Sequence, residues 1–278
     1  MRELKAIWKE HGFRPEKRLG QNFLIDKNVR DKIINTLPAA KDKTLVEIGA
    51  GFGVMTFALA ERCGKLVAIE KDRRILEIIE PFFAGKENVR LVHNDVLQAD
   101  ICGFARPGER IAVFGNIPYY ISTPIIEKMI DQKRCIDSVF LMMQEELVDR
   151  IVSSPGTKRY GSVSCYVQYH TVPEKLFRIN KNSFYPRPRV GSCLLKLRML
   201  QKPGIDVKDE KLMFDIIHKA FSQRRKKMIN PLSDGGVRSM DRGRWTEVFS
   251  ECGIDTSNRA EDLSLADYAK LADRVSAG

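Results

Sequence analysis

From Thr44 onward the chain alternates short apolar runs with longer amphipathic stretches. Leu45–Ile48, Leu66–Ile69, Val89–Val92, Ile111–Phe114 and Ser138–Met143 read as strands, and Val54–Arg62 and Arg73–Phe82 read as helices between them. Strands that are apolar throughout, alternating with helices, form a parallel sheet covered on both faces, so a doubly wound α/β fold is expected. Leu176–Ile179 and Ser192–Arg198 read as two more strands joined through the turn Tyr185-Pro186-Arg187-Pro188, which makes a mostly parallel, seven-stranded sheet. Ser162–His170 stays open: Val163, Tyr166, Val167 and His170 fit helical spacing, while the short length also allows a strand. After Gln201-Lys202-Pro203-Gly204 only helical periodicity follows, with Met213, Ile216, Ile217, Ala220 and Phe221 along one stripe. The expected organisation is a large α/β domain over residues 1–200 and a small all-helical domain over 207–278.

Composition narrows the class. At 278 residues and 43% hydrophobic, the chain has ample apolar sequence for a core, which excludes disorder and a disulfide miniprotein. Six cysteines without a C-x-x-C pair and four dispersed histidines give no metal set and no disulfide framework, and a reducing compartment is the default. The first eleven residues lack an apolar signal core, and the longest uncharged stretch, Ile111–Ile126, is broken by Gly115, Asn116, Pro118 and Pro124. Neither export nor membrane insertion is expected, and the location expected is cytoplasmic.

The formal charge of +11 is unevenly spread: residues 44–149 hold 12 basic and 16 acidic side chains, residues 150–200 hold ten and one. Such a basic segment attracts a polyanion, and its interleaved aromatics and prolines favour nucleic acid over a merely solvated face.

Candidate chemistry gathers at the carboxyl ends of the expected strands, where open α/β sheets bind ligands. Leu45-Val46-Glu47-Ile48 runs into Gly49-Ala50-Gly51-Phe52-Gly53, a glycine turn that lets backbone approach a ligand closely. Glu70 ends the next strand, about twenty residues on, suited to ribose hydroxyls. Asp95 follows the third strand and could accept from an adenine amino group; Asn116 follows the fourth. Each alone could be a cap or a turn residue, but together they mark a cofactor site. The spacing is G-x-G-x-G rather than G-x-G-x-x-G, and no hydride-transfer acid or base stands out, which disfavours NAD. Glu47, Gly49, Gly51, Glu70 and Asp95 resemble the signature of class I, Rossmann-like methyltransferases, which use S-adenosyl-L-methionine.

The tetrapeptide Asn116-Ile117-Pro118-Tyr119 carries the reaction chemistry. The lone pair of an exocyclic amine on adenine or cytosine is delocalised into the ring, so methylation requires drawing that nitrogen toward tetrahedral geometry. The Asn116 side-chain oxygen and a main-chain carbonyl, Ile117 or Pro118, can accept the two amine hydrogens, and Tyr119 can stack on the base.

With these motifs the chain resembles the ribosomal RNA adenine dimethyltransferase family, from Arg18-Leu19-Gly20-Gln21-Asn22-Phe23-Leu24 to Arg259-Ala260-Glu261-Asp262-Leu263-Ser264. The resemblance implies that Asn22 and Leu24 join Glu47, Gly49, Gly51, Glu70, Asp95 and Asn116 around the methyl donor, and that Gln21 and Phe23 close the pocket over it. It also implies that Phe184, in Phe184-x-Pro186-x-Pro188-x-Val190, sandwiches the base against Tyr119, with Arg187 and Arg189 near phosphates. Arg224, Arg225, Lys226 and Lys227, in a Phe-x-Q-R-R-K segment, would contact RNA through the helical domain. The implied reaction is dimethylation of the 6-amino group of two adjacent adenosines in a hairpin near the 3′ end of small-subunit rRNA, by a monomer acting on that RNA or on an assembling small ribosomal subunit. A large-subunit rRNA adenine methylase, which shares N-I-P-Y, and a ribosome-assembly factor with catalysis secondary remain alternatives. Tyr120 stands where many relatives have Asn.

Overall fold

A computed structural model describes residues 8, 10–16, 19–38, 40–234 and 237–277. The reading of the first eleven residues as lacking an export signal lies largely outside these, as does Arg18 beside the Leu19–Leu24 motif.

The central sheet is built from β2 Ala40–Ile48, β3 Cys63–Glu70, β4 Val89–His93, β5 Ile111–Asn116, β6 Ile136–Gln144, β7 Thr171–Ile179 and β9 Ser192–Met199, and takes them in the order β4-β3-β2-β5-β6-β9-β7. Pairing is parallel from β4 across to β6 and antiparallel between β6 and β9. The expected strands are all present and are longer at their ends, by five residues at the starts of β2 and β7. Val46, Leu66, Val67, Ala68, Val113, Phe114, Val139 and Leu141 are fully buried, as strands covered on both faces must be. Helix α1 Lys27–Thr36 leads into β2, α2 Val54–Ala60, α3 Arg73–Phe83 and α4 Ser122–Asp131 lie in the crossovers between parallel strands, and α5 Glu145–Ile151 follows β6. Asp26 and Asp72 cap α1 and α3, each accepting from backbone N–H groups of the first turn.

A second, two-stranded ladder has no counterpart in the sequence reading. β1 Phe23–Leu24 pairs antiparallel with β8 Phe184–Tyr185, bringing a segment near the N-terminus onto the proline-rich turn. An aromatic cluster holds it there. Trp8, Phe13, Phe23, Phe52 and Tyr185 pack with ring centroids 4.9–6.3 Å apart in tilted and edge-on arrangements.

The chain divides into two compact units, Met1–Val148 with Glu174–Met199, and Asp149–Pro173 with Leu200–Gly278. This differs from the expected division at residues 201–207, because 149–173 groups with the C-terminal helices. Ser162–His170 is a helix (α6), and its Cys165 and Tyr169, with Tyr160, pack into the core formed by α7 Glu210–Phe221, α8 Ile229–Ser233, α9 Arg242–Glu251 and α10 Leu265–Ser276. Arg224 donates to the carbonyls of Lys158 and Tyr160, and Gly156 N–H donates to Glu261. Apolar periodicity reports that a face is buried but not which core receives it.

One cysteine expectation is corrected. Cys102 and Cys135, separated by 33 positions, form a disulfide linking the loop after β4 to the turn after α4; Cys63, Cys165, Cys193 and Cys252 are free thiols. The pairing is set by tertiary approach of two loops, which spacing in the chain does not encode.

Candidate functional site

The carboxyl ends of β2, β3 and β5 open into a cavity of about 1110 Å³, counting its open mouth, at the place where open α/β sheets bind ligands. Its floor is the glycine turn after β2. Gly49 and Gly51 have φ of +77° and +52°, left-handed values costly for any side chain, and a Cβ on Gly51 would press on the Phe23 ring at 3.1 Å. The N–H groups of Gly49 and Ala50 donate to the Ile69 carbonyl, tying the turn to the end of β3.

Acidic side chains ring this floor. Glu70 accepts from Gly51 N–H at 2.9 Å and from Asp72 N–H at 2.8 Å, yet burial holds its carboxyl above the usual range. Glu47, 1% exposed, has one carboxylate oxygen without a hydrogen-bond partner among the described residues. Burial pushes it up to about 8, against the pull of the Thr56 hydroxyl and with help from the Glu70 charge. Asp95 differs. Burial raises its carboxyl, but the Lys71 ammonium 2.7 Å away and the Leu97 N–H outweigh it, leaving it below the ordinary value. Three acidic side chains and one lysine line the cavity, and a ligand carrying positive charge would favour the ionised form of the buried acids.

The roof comes from Gly20–Leu24. Gln21 lines the cavity, but its amide is engaged at both ends, accepting from Glu16 N–H at 2.9 Å and donating to Asp72 at 3.0 Å. Asn22 uses its side chain to brace Gly20, and its carbonyl accepts from the Asn116 amide nitrogen at 2.9 Å. Leu24 is buried against the cavity.

At the end of β5, that bond to Asn22 decides the orientation of Asn116. A carbonyl can only accept, so Nδ2 faces Asn22 and the side-chain oxygen is the atom left for a ligand. The Pro118 carbonyl already takes Ile121 N–H and the Ser122 hydroxyl. Tyr119 begins the short 3-10 turn Tyr119–Ile121, half-buried, with its hydroxyl 2.6 Å from Ser192 Oγ. Tyr120, 60% exposed, stands at the cavity mouth.

The structure therefore gathers Gln21, Asn22, Leu24, Glu47, Gly49, Gly51, Glu70, Asp95, Asn116 and Tyr119 around one cavity. It does not bring Phe184 there. That ring is 3% exposed, is not among the residues lining the cavity, and packs among Leu24, Ile33, Ile34, Phe140 and Leu194. Apolar character suits a core as well as a base, and β8 pairing turns this ring into the core. Arg187 and Arg189 are exposed on the same unit, and Arg225, Lys226 and Lys227 are exposed on the helical one. Arg224 is exposed as well, but its guanidinium donates to two backbone carbonyls. Sequence reasoning missed Ser192, for which an isolated serine gives no signal, and Lys71, legible only as the residue after Glu70. Among the described residues no group of three or more His, Cys, Asp or Glu is placed to hold a metal ion, and no helix is long and apolar enough to cross a membrane.

Comparison with known proteins extends the geometry. The family described as ribosomal RNA adenine dimethylase matches residues 12–277. A Shouchella clausii protein named ribosomal RNA small subunit methyltransferase A is 38% identical over 275 residues, covering 97% of this chain and 93% of its own. Among solved structures, a dimethyladenosine transferase from Plasmodium falciparum superposes with a TM-score of 0.77 at 22% identity, covering 90% of this chain and 95% of that one. The 23S rRNA methyltransferase ErmE superposes with a TM-score of 0.69 at 21% identity, covering 91% and 99%. Both likenesses concern the fold.

Proposed function

The chain belongs to the ribosomal RNA adenine dimethylase family, and from that premise we propose that its cavity serves N6-dimethylation of adenosines in small-subunit rRNA, with S-adenosylmethionine as methyl donor. Donor, when bound, supplies an electrophilic methyl group. The cavity fits it: the glycine turn lines it with backbone, and the unpartnered oxygen of Glu47 is an acceptor for an ammonium once that carboxyl ionises. Gly49, Gly51, Glu47, Glu70 and Asp95 would hold it from below, and Asn22 and Leu24 from above, with Gln21 bracing that roof.

The observation that carries the reading is the fixed amide of Asn116. Its oxygen accepts one hydrogen of the adenine 6-amino group, and the Ile117 carbonyl, the better candidate because the Pro118 carbonyl is already engaged, accepts the other. Two acceptors in these positions favour a pyramidal nitrogen over the planar one, so they stabilise the reacting geometry more than the resting base. Tyr119 stacks on the extruded base and aligns it. Exposed Arg187, Arg189, Arg225, Lys226 and Lys227 meet RNA phosphates, and the protein works as a cytoplasmic monomer on an assembling small subunit or its RNA.

Asn116→Ala should lower kcat by about 10²-fold or more, the usual scale for losing one pre-positioned polar group, with donor affinity within about threefold. Donor affinity is read by calorimetry and turnover by labelled-methyl transfer. Unchanged turnover would remove Asn116 from the reaction.

A further inference from the structure

We infer that Ser192 is a positioning residue for the base-stacking ring of Tyr119, and that this is how the Phe184–Val190 segment reaches the reaction. The inference rests on the reading of Tyr119 given above.

Tyr119 sits on a 3-10 turn beyond the end of β5 rather than on a strand or a long helix, so backbone pairing does not by itself fix its ring. A tyrosine has two side-chain torsions, and fixing the phenol oxygen at the far end of the ring restrains both at once. Ser192 provides that fixed point. It opens β9, is 1% exposed, and pairs with Gln144 in the antiparallel β6–β9 register. The Gly191 carbonyl just before it accepts from Glu145 N–H at 3.2 Å, so the backbone on both sides of Ser192 is held by the end of β6. Its Oγ lies 2.6 Å from the Tyr119 hydroxyl, a short hydrogen bond between a buried serine and a half-buried tyrosine. Burial raises the Tyr119 phenol above its ordinary value, so it stays neutral and the bond persists across the working range of pH.

Ser192 stands two positions after Val190 in Phe184-x-Pro186-x-Pro188-x-Val190. The segment thereby leads into a residue that contributes a hydroxyl to the site. The rigid prolines and the β1–β8 ladder precede β9, so they set where that hydroxyl begins. Holding the phenol oxygen leaves the face of the ring for the base, and a base held in line reacts faster without the donor being bound any more tightly.

The test is a double-mutant cycle of Ser192→Ala and Tyr119→Phe, with methyl transfer to small ribosomal subunits that lack dimethyladenosine. Each single variant should lower kcat by about 3- to 10-fold, the scale of one hydrogen bond, with donor affinity within about twofold. The double variant should be no slower than the slower single, because both changes remove the same bond. Ser192→Thr, which keeps the hydroxyl, should recover most of the rate; should Ser192→Ala melt before assay temperature, Ser192→Cys takes its place in the cycle, since a thiol bonds weakly. Losses that multiply in the double variant, or a loss in Ser192→Ala with none in Tyr119→Phe, would give Ser192 a merely structural role and overturn the inference while leaving the proposed function intact. A parent protein that transfers no methyl would overturn both.

Discussion

Glu47 shows how a single residue couples the site to stability. A carboxyl with an ordinary value near 4.5 is pushed up to about 8 in the folded protein by burial. Below pH 4.5 it is protonated in both states and contributes no pH-dependent penalty. Between about 4.5 and about 8 the unfolded chain releases a proton that the folded chain keeps, so stability falls as pH rises through that window. Glu47→Gln removes the penalty. Free of donor, it should flatten the fall in melting temperature between pH 5 and 8, a difference on the order of a few kcal/mol at the upper end; a variant with the same pH profile as the parent would place the carboxylate in a wetter environment than its burial indicates. A positively charged ligand would reverse the preference and favour ionised Glu47. Residues of this kind were legible in the sequence because a polar side chain at the end of an apolar strand is conspicuous: Glu47, Glu70, Asp95 and Asn116 all occupy such ends. Phe184 and Ser192 were not, since a phenylalanine is at home in any core and a lone serine signals nothing. Their roles come from where β8 and β9 begin.

At the scale of elements, the central parallel strands could be read directly because burial on both faces writes itself as unbroken apolar runs. The β1–β8 ladder could not, being two residues on each side and joined across most of the chain. Its stability comes from the aromatic cluster around Trp8, whose members lie far apart in sequence. The Arg224–Lys227 run illustrates the limit of charge patterns. Read as one patch, it separates in the structure into Arg224, which braces the loop at 158–160, and Arg225, Lys226 and Lys227, which face solvent. The two groups should respond differently. Arg224→Ala should lower the stability of the helical unit by about 1 kcal/mol. Gln at the other three positions should leave melting unchanged and reduce the slope of log affinity for RNA against log salt, by about 0.7–0.9 for each phosphate no longer neutralised. Filter binding across a salt series reads the slope, and a slope identical to the parent's would make those three side chains solvated surface only.

Over the whole molecule, the positive charge and the acidic cavity divide the work between two polarities. The sheet-bearing segment 44–149 is net acidic and supplies the carboxylates that suit a cationic donor, while 150–200 is strongly basic and suits RNA. Sequence composition alone carries that division, but it did not reveal that 149–173 leaves the α/β unit for the helical one, because an apolar helix face fits either core. The central claim is that this cavity dimethylates adenosine in small-subunit rRNA. It is tested most directly by incubating the protein with labelled S-adenosylmethionine and small ribosomal subunits lacking the modification, alongside large subunits and naked rRNA, and analysing the nucleosides. Labelled N6,N6-dimethyladenosine from the small-subunit sample, and none from large subunits, is the predicted result. Label confined to large-subunit RNA, or RNA binding with no methyl transfer to any sample, would contradict it.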